Sequence, residues 1–393
     1  MKILCAFGQY NYGDVKRGES PEFSAFLPAL RNLGHEVRLV ETWNRRAYLD
    51  LASLNRALLD AVEDFRPDVL LSVQMNYEIW LETLELIRAR GDVITLSWAT
   101  DDSWKYREVS RFIAGSYDAM ATTYDHVVPR YRSDGFDHVL ATQWAAISDH
   151  LQEPLPAQNC RYPVSFIGTS HGSRIQRVEA LRARGIKVVC FGHGWPNGPV
   201  AAEDMPRIIR ESCISLNFAN SQGENQIKAR LFEVPGAGGF LLTEPARSLE
   251  KYYRADQEIA VFADLDDLVA KINHYLAHPQ ERDRIAQAGF QRTRQEHTYE
   301  HRFIQLLRFA RTSAPARSHA RSAMPFQEAA VRHRLTPPLR LLRNILMRLG
   351  GLVFGKEKGA KAARRLVYEL SWRLVGRHTF TASGWPGRMF PHD

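Results

Sequence analysis

Lys228-Ala-Arg230-Leu-Phe-Glu233 is the segment with the densest set of reactive side chains. Two cations and a carboxylate fall within one or two helical turns. Directly after them come Val-Pro-Gly-Ala-Gly-Gly239 and the apolar run Phe240-Leu-Leu-Thr243. Lys and Arg suit phosphate oxygens, and Arg can hold two at once. A carboxylate suits a cis-diol such as a ribose, because it accepts two hydrogen bonds. The plainer reading is a local ion-pair network on a helix.

Further candidates lie in loops. Gly168-Thr-Ser-His171-Gly172-Ser-Arg174 sets glycines, a histidine and a cation at the expected start of a helix. Backbone amides and the helix dipole favour an anion there, so Gly168, His171, Gly172 and Arg174 are candidates to bind a diphosphate. A surface arginine is the alternative. His193, within Phe191-Gly-His-Gly-Trp195, is a candidate at a strand end, with an ordinary loop histidine as the alternative. His297 reads as structural.

Gly8-Gln-Tyr-Asn-Tyr-Gly13 has the GxxxxG spacing of a P-loop, but Asp14-Val15 stands where Lys and Ser or Thr are required. GxGxxG is also missing there, which argues against a dinucleotide enzyme although Glu41 sits where an acid would meet a ribose. Gly13 and Arg17 remain candidates for a ligand approaching the backbone; otherwise these glycines only turn the chain. Asp101-Asp102 follows an apolar run. One of the pair could act as a general base for a hydroxyl group. Alternatively, Asp102 or Ser103 caps a helix. No His or further acid sits at ligand spacing, so no metal site is expected.

These residues need a scaffold. Apolar β-type runs at residues 2–7, 36–40, 69–73, 93–98, 119–122 and 138–141 alternate with amphipathic segments such as 51–65 and 78–90. A second set of runs covers 164–167, 187–191, 212–216, 240–242 and 260–262, with a helix expected over 265–278. Such alternation predicts parallel sheets covered by helices. Each set opens as strand, glycine loop, helix, glycine, strand. The fold class expected is α/β: two Rossmann-like lobes with an interlobe cleft, plus a basic helical tail. The lobes are predicted at 1–155 and 156–311, with the tail at 312–393.

The chain has 393 residues and a net charge of +8. From Arg311 onward it carries 16 Lys and Arg against 4 Asp and Glu, a net +12, which leaves −4 for the rest. A body of that sign excludes nucleic acid as the expected partner. Residues 337–354 form an amphipathic helix, with Leu342, Ile345, Leu346, Leu349 and Val353 on one side and Arg340, Arg343, Asn344 and Arg348 on the other. A second helix near 361–375 has Leu366, Leu370 and Leu374 on one face. Such a tail can lie on an anionic membrane surface, on the body, or on another subunit. The four scattered cysteines read as reduced core residues. The first eight residues suit a buried strand rather than a signal-peptide core, so a cytoplasmic protein is expected, peripheral on the inner face of the membrane if the tail binds lipid.

Several motifs recur together. Asn11-Tyr-Gly-Asp…Arg17-Gly…Glu22, Val164-Ser-Phe-Ile-Gly-Thr, Phe191-Gly-x-Gly-Trp195, Lys228-x-Arg-x-Phe-Glu233, Gly239-Phe-Leu-Leu-Thr-Glu244 and His297-Thr-Tyr-x-x-Arg302 appear in that order. Over residues 1–309 the chain thereby resembles bacterial GT-B glycosyltransferases of the group-1 type, in particular the spore-maturation (CgeB-like) branch. The resemblance implies a second lobe that holds a nucleoside-diphosphate sugar as co-substrate, with no other cofactor and no catalytic metal. The acceptor would be a glycan, a lipid-linked sugar or a protein, in bacterial surface glycan or glycoconjugate synthesis. Glu233 matches the second acid of the family's paired-glutamate motif. The first acid would fall at Asn225, with Glu224 one position off. Arg174, Lys228 and Arg230 are then the groups for the departing diphosphate. The other readings are an inactive GT-B scaffold that binds a glycan or protein, and a GT-B nucleotide-sugar epimerase.

Overall fold

The computed structural model describes residues 1–219, 226–313 and 323–392; Glu224 and Asn225 lie outside them. The chain divides into two compact units, Met1–Thr142 with Phe303–Asp393, and Gln143–Arg302. Each is built on a parallel sheet.

The first sheet contains β1 (Lys2–Phe7), β2 (Glu36–Glu41), β3 (Val69–Ser72), β4 (Ile94–Ala99), β5 (Ala119–Thr122) and β6 (Val139–Ala141), in the order β2-β1-β3-β4-β5-β6. Ile3 through Phe7 are fully buried, as expected of a strand covered on both faces. Helix α1 (Leu51–Phe65) follows β2. Asp50 caps it, accepting from the Ser53 amide at 2.8 Å, and Arg66 ends it in the left-handed region with φ 48°.

The second sheet contains β7 (Tyr162–Ile167), β8 (Val189–Phe191), β9 (Ser212–Asn217), β10 (Leu241–Thr243) and β11 (Ala260–Val261). Its order read from the far edge, β8-β7-β9-β10-β11, repeats the winding of the first sheet. In both, the opening strand lies between the second and third, so the glycine loops after β1 and β7 sit where the winding reverses direction. Helix α2 (Arg174–Ala183) follows the second of those loops, and α3 (Arg230–Gly236) lies between β9 and β10. The expected strands all form, with ends moved by a residue or two. Gly34 and Gly185, each just past a helix end, have φ of 77° and 80°.

Beside predicted limits at 155/156 and 311/312, contacts within the fold divide the units at Thr142/Gln143 and at Arg302/Phe303. Arg302, the last residue of the second unit, lies on helix α4 (Tyr299–Ser313) and donates to the carbonyls of Gln143 and Trp144 at that unit's start, at 3.2 and 3.4 Å. The tail helices are α5 (Pro337–Phe354) and α6 (Lys356–Val375). Tyr368, Trp372, Phe380 and Ala382 are part of the first unit's core. The Leu366, Leu370 and Leu374 face is not the one that packs, since these three stay 44–69% exposed. The aromatic side chains of Tyr368 and Trp372 bury more area and take the inner side.

Candidate functional site

In the second unit, three loops converge at the C-terminal ends of β7, β8 and β9. Gly192 has φ of 127°, and a Cβ there would strike the Gly168 carbonyl. A side chain on Gly194 would strike the Ser170 hydroxyl. The Ser170 amide donates to the His193 carbonyl at 2.9 Å, and the Trp195 indole donates to the Gly168 carbonyl at 2.8 Å. The glycines of Phe191-Gly-His-Gly-Trp195 therefore let one loop lie on the other. This places Gly168, His171, Gly172 and His193 in one linked loop pair.

Arg174 starts α2 but turns back over the strand ends. Its Nε and Nη2 donate to the Phe218 carbonyl at 3.3 and 3.0 Å, and Nη1 donates to the Thr169 carbonyl at 3.1 Å. Burial, then the nearby positive charge of Arg230, holds its pKa below the usual arginine value. Arg177, one turn on, pairs with Glu244 at 2.5 Å. The other Glu244 oxygen accepts from the Ala219 amide at 2.7 Å. Glu244 closes the Gly-Phe-Leu-Leu-Thr-Glu motif but was not among the residues expected to bind a ligand. It extends the Arg174–Arg230 cluster across β9 and β10.

Arg230 lies at the first turn of α3. It pairs with Glu233 at 2.9 Å, and both side chains remain 21–25% exposed. The ion-pair reading of this segment therefore has a physical counterpart, yet both groups stay open to solvent. Beside Glu233 is a small cleft lined by Ile147, His150, Met205, Pro206 and Gly236. Lys228 is half-buried, just before the helix.

Phe232, fully buried, fixes the back of α3. It lies edge-on to Tyr252 and His297 at 5.5 Å each, with the Arg302 guanidinium 5.4 Å over its ring. His297 Nε2 is 2.9 Å from the Tyr252 carbonyl, and Nδ1 is 3.3 Å from Arg302 Nη2. Nε2 must then donate and Nδ1 accept, so the ring is neutral. Burial, helped by the Arg302 charge, pushes its pKa down to about 4. The His-Thr-Tyr-x-x-Arg motif is a brace for the Lys-x-Arg-x-Phe-Glu helix.

In the first unit, the loop after β1 is built mostly by internal bonds. A Cβ on Gly8 would enter the Trp43 ring, and Gly13 has φ of 71° against the Trp43 carbonyl. Glu41 accepts from the amides of Gln9, Trp43 and Asn44 at 2.6, 2.7 and 3.0 Å. Its carboxylate thus organises the loop. Arg17 is exposed, 3.6 Å from Asp14 and 5.1 Å over the Tyr12 ring.

At the end of β4, the two adjacent aspartates differ. Asp102 is fully buried: Ser110 Oγ donates to one oxygen at 2.5 Å and the Tyr131 hydroxyl to the other at 2.7 Å. Burial raises its pKa despite those bonds. Asp101 is partly exposed, and its carbonyl accepts from the Lys105 amide at 3.0 Å. Electrostatically coupled to Asp101 and Lys105 is Glu22, on the short helical turn Glu22–Phe26. Glu22 is 4% exposed, and its Oε2 has no hydrogen-bond partner among the described residues. Burial pushes its pKa up to about 7, with Lys105 opposing and Asp101 adding to the rise. Glu22 closes the Asn11-Tyr-Gly-Asp…Arg17-Gly…Glu22 motif, whose spacing alone assigns that acid no role. A lone acid beside the apolar run Phe23, Ala25, Phe26 and Leu27 was the available signal.

With this geometry in view, the comparisons are consistent. A family described as glycosyl transferase-like matches residues 174–308. That stretch contains Arg174, Arg177, Lys228, Arg230, Glu233, Glu244, His297 and Arg302. No curated protein is similar enough to count as a relative. Among solved structures, HepE from Anabaena in complex with UDP and glucose is 12% identical with a TM-score of 0.55, covering 78% of this chain and 98% of its own. Sucrose-phosphate synthase from Thermosynechococcus elongatus is 11% identical with a TM-score of 0.57, covering 79% and 99%. The lipopolysaccharide outer core galactosyltransferase WaaB, in apo form, is 12% identical with a TM-score of 0.51, covering 80% and 99%. At such identities the likeness concerns the fold: the chain has the two-lobed, Rossmann-like GT-B fold of glycosyltransferases, and its second lobe is similar to a glycosyl transferase-like family.

Proposed function

We propose that the chain transfers a sugar from a nucleoside-diphosphate donor to an acceptor hydroxyl. The observation that carries this is the cation cluster of Arg174, Arg177 and Arg230 at the strand ends of the lobe similar to the transferase family. In the reaction, the bond from the anomeric carbon to the diphosphate oxygen breaks, and the nucleoside diphosphate leaves with the electron pair. The acceptor oxygen bonds to the anomeric carbon and passes its proton to the Asp101 carboxylate, which acts as general base. Arg174, Lys228 and Arg230 stabilise the charge gathering on the diphosphate, so side-chain cations do this work without a metal. Glu233, released from Arg230, accepts the ribose hydroxyls. Gly168, Gly172, His171 and His193 line the same linked loops.

The first lobe takes the acceptor. Asp101 is the more exposed acid and orients the hydroxyl, while Asp102 holds that turn through Ser110 and Tyr131. Gly13 and Arg17 flank the approach. A bacterial surface glycan or glycoconjugate is the acceptor class this reading favours; the similar fold of a lipopolysaccharide galactosyltransferase supports it.

Calorimetric titration of the full chain with UDP, GDP and TDP tests the reading. Binding of one of them, weakened about 10- to 100-fold by Arg230→Ala in a protein that melts normally, is the expected result. The Arg230–Glu233 pair is the observation favouring a self-neutralised cluster in a non-catalytic scaffold. Absence of binding to every diphosphate would select that scaffold.

A further inference from the structure

Helices α5 and α6 pair closely. A Cβ on Gly350 would lie 2.6 Å from the Gly359 carbonyl oxygen, so the two backbones meet where neither helix carries a side chain. The inner side of α6 is fastened to the first lobe. The Tyr368 ring is 5.8 Å from Tyr77, and its hydroxyl donates to the Glu108 carbonyl at 3.3 Å. Arg377, just past α6, donates to Glu85 at 3.0 Å and to Ser116 at 2.8 Å.

The outer helix is left uncovered. None of the 18 residues of α5 is buried. Leu341, Leu342, Ile345, Leu349, Leu352 and Val353 are 45–83% exposed. At 3.6 residues per turn they fall within an arc of about 120°, along a helix about 27 Å long. Leu366, Leu370 and Leu374 of α6 add a second exposed apolar row. An exposed patch of this size marks an interaction surface. α5 contains Arg340, Arg343 and Arg348 and no acid. Lys358, Lys361 and Arg364 follow on α6, where Arg365 is instead paired with Glu369 at 2.9 Å.

We propose that α5, anchored by α6, docks the first lobe on an anionic lipid surface. The apolar arc enters the boundary between headgroups and acyl chains, and the arginines and lysines meet the lipid phosphates. Charge decides against a second copy. A two-fold contact through this face would set each copy's arginines against the other's, with no acid on α5 to offset them. Among the described residues no helix is long and apolar enough to cross a membrane, so α5 lies in the surface plane. The proposal does not rest on sugar transfer: a scaffold with this tail would dock equally well.

Vesicle co-sedimentation of the full chain tests it. Binding to phosphatidylcholine vesicles containing phosphatidylglycerol should exceed binding to phosphatidylcholine alone by about tenfold or more. Ile345→Glu with Leu349→Glu should remove the binding, while thermal melting and nucleoside-diphosphate affinity stay at wild-type values. Arg340→Gln with Arg348→Gln should lower it about tenfold. Wild-type protein that stays in the supernatant, or binding that survives Ile345→Glu with Leu349→Glu, overturns the proposal. So does a dimer in sedimentation velocity that this double variant dissolves, since the face would then belong to a second copy.

Discussion

The two lobes share one winding but oppose each other in charge at the matching strand ends. In the first, Glu22, Asp101 and Asp102 gather around Lys105, and two of the three acids are buried. In the second, Arg174, Arg177 and Arg230 outnumber Glu233 and Glu244, and the cluster stays partly open. Burial raises the carboxyls of Glu22 and Asp102, that of Glu22 to about 7, where it can exchange a proton near neutral pH. Arginines remain charged throughout that range and attract anions. The fold supplies two equivalent positions, and the side chains give them different chemistry.

The largest expected effect tests whether the second lobe's cluster depends on its brace. Phe232→Ala removes a fully buried ring from between Tyr252, Tyr253 and His297. It should cost about 3–5 kcal/mol of stability in urea melts. Nucleotide affinity should fall with it, because Arg230 and Glu233 ride on the same helix. A loss below about 1 kcal/mol would mean the brace is not needed.

Next in size is a pair of opposite pH dependences. Glu22 moves from 4.5 to about 7 on folding, so the fold keeps a proton that the unfolded chain has lost. Its contribution therefore falls as pH rises through that window, by up to about 3 kcal/mol. His297 moves from 6.5 down to about 4, so the unfolded chain takes the proton first. Its contribution falls as pH drops through that window, by a similar amount of about 3 kcal/mol. Urea melts of wild type against Glu22→Gln and against His297→Gln should diverge in opposite directions. Curves that stay parallel for both variants would erase this distinction between the lobes.

Arg230→Ala probes the comparison at the ligand. Losing a charge-assisted contact to phosphate costs about 1.5–3 kcal/mol, so nucleoside-diphosphate affinity should drop about 10- to 100-fold by calorimetry. Stability should change little, because the Arg230–Glu233 pair is partly exposed. Unchanged affinity would leave the second lobe's positive charge without a ligand.

Much of this was legible in the residue order. Strands buried on both faces appear as unbroken apolar runs, so both sheets could be located, and the repeated strand–glycine–helix opening announced the shared winding. What escaped depends on strand order. Glu22 follows β1, and Asp101 and Lys105 follow β4; only the sheet brings them together. Glu244 meets Arg177 across two strands for the same reason. Asp101 and Asp102 are neighbours in sequence, yet in the turn after β4 Ser110 and Tyr131 enclose Asp102 and leave Asp101 partly open, and neither partner is near in sequence. In the tail, Leu366, Leu370 and Leu374 and the Tyr368–Trp372 side both look apolar, and only the first lobe's aromatic surface decides between them.

The smallest expected effect separates the two glycine loops. Arg17 pairs with Asp14 and stacks on Tyr12 at the surface of the first lobe, whereas Arg174 is drawn over the strand ends of the second. If the first lobe's loop serves the acceptor, Arg17→Ala should leave nucleoside-diphosphate affinity within about twofold. Stability should stay within about 0.5 kcal/mol, as for other surface pairs. Only the acceptor KM in a transfer assay should rise. A fall in nucleotide affinity comparable with that of Arg230→Ala would give both loops to the donor and remove the division of labour between the lobes.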